Sequence, residues 1–68
     1  MVNNVKKIRN KLGMTKKNFS QLLDLAYVTV CNWEAQGKNP SLKNCYKIIE
    51  LCRHNRIKIS VQDILPPD

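Results

Sequence analysis

Few side chains in this 68-residue chain are suited to making or breaking bonds. The one histidine, His54, has no nucleophile set beside it, and no carboxylates are paired at a cleft, so an enzyme is not expected. Cys45, Cys52 and His54 fail as a metal site: a fourth ligand is missing, and Cys52 and His54, two apart, diverge on a helix. Three cysteines cannot all pair within one chain, and none stands in a C-x-x-C spacing. They read as small apolar core residues of a protein in a reducing, cytoplasmic setting. What remains is hydrogen-bonding and contact chemistry. Tyr27, Val28, Thr29 and Asn32 stand off the i, i+3 spacing of Val30 and Trp33, and are therefore free of the core. Such an uncommitted set on a short helix suits the major groove of DNA.

The element that must position this set runs from Thr15 to Glu34. It reads as two short helices around a three-residue turn, Asp24-Leu25-Ala26. Thr15 offers an oxygen to the orphan amides of the first helix. Phe19, Leu22 and Leu23 make that helix's inward stripe. Before it, Val2 to Lys11 reads as a helix capped by Asn3 or Asn4, with Val5, Ile8 and Leu12 inward and Gly13 as its stop. After it, Ala35 to Pro40 forms a loop in which Gly37 is able to turn left-handed. Ser41 caps a further helix to about His54, with Leu42, Cys45, Tyr46, Ile49 and Cys52 inward. Arg56 to Ile59 reads as extended linker. Ser60-Val61-Gln62-Asp63 resembles a capping box with Asp63 in the acidic place, opening a last helical turn that Leu65-Pro66-Pro67 ends.

These elements predict an all-α chain of about five short helices, forming one domain over residues 1–68. The composition is globular, 43% hydrophobic and 25% charged, while two glycines and three prolines disfavour a strand-and-turn architecture. No leader and no apolar run of membrane-spanning length is expected. The net charge of +7 asks for a polyanionic partner. Its distribution says more: the first 23 residues hold six basic side chains and no acidic one. Arg9, near the buried edge of its helix, and Glu34 each invite an ionic partner, although spacing alone does not choose between a pair and two solvated charges.

Taken together, the Arg9 of IRNKLGMT, Ser20 after Phe19, the Leu25 turn, Val30, Trp33-Glu34 and Pro40-Ser41-Leu42 resemble the Cro and lambda-repressor-like helix-turn-helix family, over about Val5 to Leu65. The resemblance implies a compact five-helix fold and transcription regulation through double-stranded DNA. By position it implies base reading by Lys16, Tyr27, Val28, Thr29 and Asn32. Their chemistry suits Asn32 to adenine, Lys16 to guanine, and Val28 or the Thr29 methyl to a thymine methyl. It further implies phosphate contacts from Thr15, Lys17, Lys38, Asn39 and Lys43, and an Arg9–Glu34 pair tying the first helix to the recognition helix. Two departures stand out. Ala26 replaces the usual Ser or Thr cap of the recognition helix, and the loop glycine, Gly37, comes one residue late.

A domain with so few base contacts discriminates poorly alone, so a homodimer on a pseudo-palindrome is expected, formed in solution or only on DNA. The tail over residues 55–68, with Ile57, Ile59, Val61, Ile64 and Leu65, is the candidate dimer surface, the intramolecular core being its other use. A toxin-neutralising antitoxin on the same fold is the alternative function. No cofactor, metal, membrane or small-molecule substrate is expected.

Overall fold

The computed structural model describes residues 3–66. Five helices follow one another there: α1 (Val5–Lys11), α2 (Lys16–Leu22), α3 (Tyr27–Ala35), α4 (Leu42–His54) and α5 (Val61–Ile64). The described residues form no strand, and the fold is all-α as the patterns predict. The first helix was expected from Val2; it begins at Val5, and Val2, like Pro67 at the other end, lies outside the described residues.

Four of the five helix starts have a side-chain hydrogen bond as their local cause. Thr15, in extended geometry, accepts the Asn18 N–H on Oγ1 at 3.1 Å, and Ser41 accepts the Asn44 N–H on Oγ at 3.3 Å. At α1 the residue in the cap position, Asn4, makes no capping bond; Asn3 Oδ1 instead accepts the Val5 N–H at 3.0 Å. At α5 the Asp63 carboxylate accepts both the N–H and the hydroxyl of Ser60, at 2.8 and 3.1 Å. Four stops use the left-handed region, Gly13 at φ +71° after α1, Asp24 at φ +57° after α2, Gly37 at φ +67° after α3 and Arg56 at φ +60° after α4. The turn after α3 is thus made at Gly37. The α2–α3 turn puts Asp24 at φ +57°, a conformation Asp tolerates better than most residues.

All five helices contribute to one core: Val5 and Ile8, Phe19, Val30 and Trp33, Cys45, Ile48 and Cys52, and Ile64, with Leu23 from the turn. Burial pushes the Cys45 and Cys52 thiols above their ordinary range, so both stay neutral among apolar neighbours. Three expected core residues are misplaced. Leu22, Leu42 and Tyr46 are each 60% exposed. The inward row of α4 is Cys45, Ile48, Ile49 and Cys52, which keeps helical spacing but turns the helix away from Leu42 and Tyr46.

The tail goes mainly to the core. Ile64 is fully buried, and Ile57, Ile59, Val61 and Leu65 pack partly buried against the same cluster. Burying Ile64 contributes roughly 1.5–3 kcal/mol. The tail is fastened to the chain's other end, where the Asn4 N–H donates to the Ile64 carbonyl at 2.9 Å and Asn4 Nδ2 to the Asp63 carbonyl at 3.0 Å. Ile64 is therefore not available as a dimer surface.

Candidate nucleic-acid interface

The position of α3 is set from its C-terminal end. Arg9 on α1 meets Glu34 bidentately, Nε donating to Oε2 at 2.7 Å and Nη2 to Oε1 at 2.9 Å. Nη1 donates to the Met14 carbonyl at 2.8 Å, so the guanidinium also holds the α1–α2 link. The two side chains are only 11% and 3% exposed. The Glu34 hydrogen bonds raise the Arg9 pKa in spite of partial burial.

A second tie escaped the sequence reading, which treated Asn3 only as a possible cap. The buried Asn3 amide donates through Nδ2 to the Trp33 carbonyl at 3.0 Å and the Lys38 carbonyl at 2.8 Å. Its oxygen caps α1, so one side chain joins the start of α1 to the end of α3 and the loop beyond. Because its distant partners are backbone carbonyls, no residue type at positions 33 or 38 announces them. The Asn32 carbonyl accepts the Gln36 and Lys38 amides at 3.1 and 3.3 Å, closing the loop over the helix end. Lys47 lies on α4. It donates through Nζ to the Leu23 carbonyl at 3.3 Å and steadies the α2–α3 turn.

At the other end α3 is bare. Ala26 has the extended geometry of a cap and no side-chain acceptor; only its carbonyl serves, taking the Thr29 N–H at 3.0 Å. Tyr27 and Val28 are 53% and 59% exposed, whereas Thr29 and Asn32 are partly buried beside them. The Cys31 thiol one turn on is the main cause raising the Tyr27 phenol, which stays protonated and able to donate. Lys16, half-buried, opens α2, the helix packed against α3. Thr15, Lys17, Lys38, Asn39 and Lys43 are all exposed, at the start of α2, in the loop after α3 and at the start of α4. The Thr15 oxygen already accepts the Asn18 amide, which leaves its hydroxyl hydrogen as the group it has to offer.

A helix-turn-helix family model matches residues 5–53, more than half of the chain. The chain belongs to the helix-turn-helix family of the Cro and lambda-repressor type, whose members are DNA-binding regulators. No curated protein matches it in sequence. Among the described residues, no helix is long and apolar enough to cross a membrane.

Proposed function

We propose that this protein is a sequence-specific repressor of the Cro-like kind, binding a pseudo-palindromic operator as a homodimer with α3 in the major groove. One observation carries the reading. The recognition helix is anchored by buried ties at its C-terminal end and leaves Tyr27 and Val28 uncovered at its N-terminal end. In this reading Asn32 addresses adenine, Lys16 guanine, and Val28 or Thr29 a thymine methyl, while Tyr27 contributes its ring and hydroxyl at the groove edge. A good bidentate contact is worth roughly 1–3 kcal/mol of discrimination.

Thr15, Lys17, Lys38, Asn39 and Lys43 set the register on phosphates and read no sequence. With about four phosphates neutralised per monomer, the log–log salt slope is near −3.6, and twice that for a dimer. Lys6, Lys7 and Lys11, all exposed on α1, add a general attraction to DNA.

The test is selection of bound sites from random duplexes, repeated with Asn32→Ala. The expected outcome is relaxed preference at one position in each half-site, with the other positions kept. An unchanged preferred site would remove Asn32 from base reading, and a chain that enriches no site would refute the function.

A further inference from the structure

We propose that this protein holds a second segment of double-stranded DNA, by its phosphate backbone, on the face where α1 meets the link between α4 and α5. This contact follows from the chain being a DNA-binding regulator and is independent of the operator read by α3. Two hollows adjoin there and share Lys58. One encloses about 290 Å³ between Lys7, Lys11, Lys58 and Asp63, over the apolar Ile8 and Ile59. The other encloses about 310 Å³ between Arg53, Arg56 and Lys58. Five cations thus meet one carboxylate, and Asp63 already accepts the N–H and hydroxyl of Ser60. Arg53 is paired with Glu50, but among the described residues Lys7, Lys11, Arg56 and Lys58 enter no ion pair, and all four are exposed.

Arg56 sits there against its backbone preference. Its N–H donates to the Arg53 carbonyl at 3.1 Å and that of Ile57 to the Cys52 carbonyl at 2.8 Å, which places Arg56 at φ +60° in the left-handed stop of α4. Glycine fills the corresponding place after α1 and α3. A long cation kept in such a conformation, exposed and with no carboxylate to meet, points to a ligand outside the chain. Its planar fork grips a phosphate through two donors. An excess of one sign over both hollows fits nucleic acid better than a protein surface. The track is also clear of the α3 interface. Lys43 opens α4, whereas Arg53 stands in its last turn, about 15 Å along the axis in a molecule of 27 × 23 × 20 Å. Lys7 and Lys11 are each two residues from Arg9, so they project from the side of α1 away from the Glu34 clasp. The DNA in this track is therefore another duplex, or a distant segment of the one that α3 reads.

The experiment loads the full chain onto a bead-tethered duplex carrying a selected site, then offers labelled random-sequence duplex or labelled polyglutamate and measures what is retained. It compares the wild type with Arg56→Gly, Lys58→Gln and the double variant. The wild type is expected to retain the second duplex, less so as salt rises. Arg56→Gly should keep or raise the melting temperature, since glycine fits φ +60°, and yet lower retention about threefold. A lowered melting temperature would make Arg56 a structural residue and overturn its part here. The double variant should lower retention about tenfold, with loading on the tethered site unchanged. Equal retention by all four proteins overturns the proposal and gives the second duplex to α3 of another copy. A wild type that retains no duplex also overturns it, and one that retains only polyglutamate gives the face to an acidic protein instead. If selection enriches no site, a random duplex is tethered in its place. Retention that falls in the variants while loading holds then sustains this surface, and the operator reading alone fails.

Discussion

The two ends of α3 are built in opposite ways. At its C-terminal end Glu34 is clasped by Arg9, the Trp33 carbonyl by Asn3, and the Asn32 carbonyl by two loop amides, all near or inside the core. At its N-terminal end Ala26 supplies no side-chain cap, and Tyr27 and Val28 stand in water. The ties that orient the helix are thus concentrated at its C-terminal end. Little of the fold depends on the exposed side chains at the bare end, Tyr27 and Val28.

Breaking the anchored end should have the largest effect. Arg9→Ala leaves a nearly buried carboxylate unpaired and is expected to cost about 3 kcal/mol, the lower end of the range for such losses. Urea unfolding of Arg9→Ala, Glu34→Gln and the double variant gives the coupling, and a negligible value would mean that the clasp does not anchor α3. Asn3→Ala removes donors from the Trp33 and Lys38 carbonyls and should cost roughly 1–3 kcal/mol. It should also speed amide exchange in the loop after α3; normal exchange there would reduce Asn3 to a cap of α1. At the bare end the sign reverses. Ala26→Ser fits the extended geometry already present and should add about 0.5–1 kcal/mol. An unchanged melting temperature would show that the backbone alone suffices there.

The smallest effect is expected where the same chemistry lies in water. Glu50 pairs with Arg53 at 2.6 Å, a shorter contact than that of Arg9 with Glu34, but both side chains are more than half exposed. Glu50→Gln should leave the urea midpoint at pH 7 unchanged within error. The Arg53 hydrogen bond holds the Glu50 carboxyl below its ordinary value. Any contribution is therefore present above the unfolded carboxyl pKa, about 4.3, and lost as pH falls through the lowered folded value. An effect of Glu50→Gln at neutral pH comparable to Arg9→Ala would show that burial does not separate the two pairs.

The starts of α2 and α4 and the glycine stops of α1 and α3 are legible in the sequence because their causes are local. Thr15 and Ser41 each cap an amide three residues on, and Gly13 and Gly37 each occupy the left-handed region that only glycine enters freely. The facing of α4 was not legible. Leu42, Cys45, Tyr46, Ile49 and Cys52 form as good a helical stripe as Cys45, Ile48, Ile49 and Cys52, and spacing cannot say which side has a neighbour. Leu22 is misplaced for the same reason: no element of the described chain lies over it. Asn3 was invisible for another reason, since its distant partners belong to the backbone 30 and 35 residues away. Among the candidate DNA contacts, the exposed Lys17, Lys38 and Lys43 follow from charge and helix ends, whereas the roles given to Tyr27 through Asn32 rest on family position.

The clasp between Asn4 and the Ile64 and Asp63 carbonyls has a consequence for how the fold is completed. It joins residues some sixty positions apart, so the start of α1 and the last helix hold each other in place. Ile64 fills a core whose other members all lie before residue 53. The family match ends at residue 53, but the physical unit does not. A chain cut at that boundary keeps every residue assigned to DNA and loses the closure that holds the core shut.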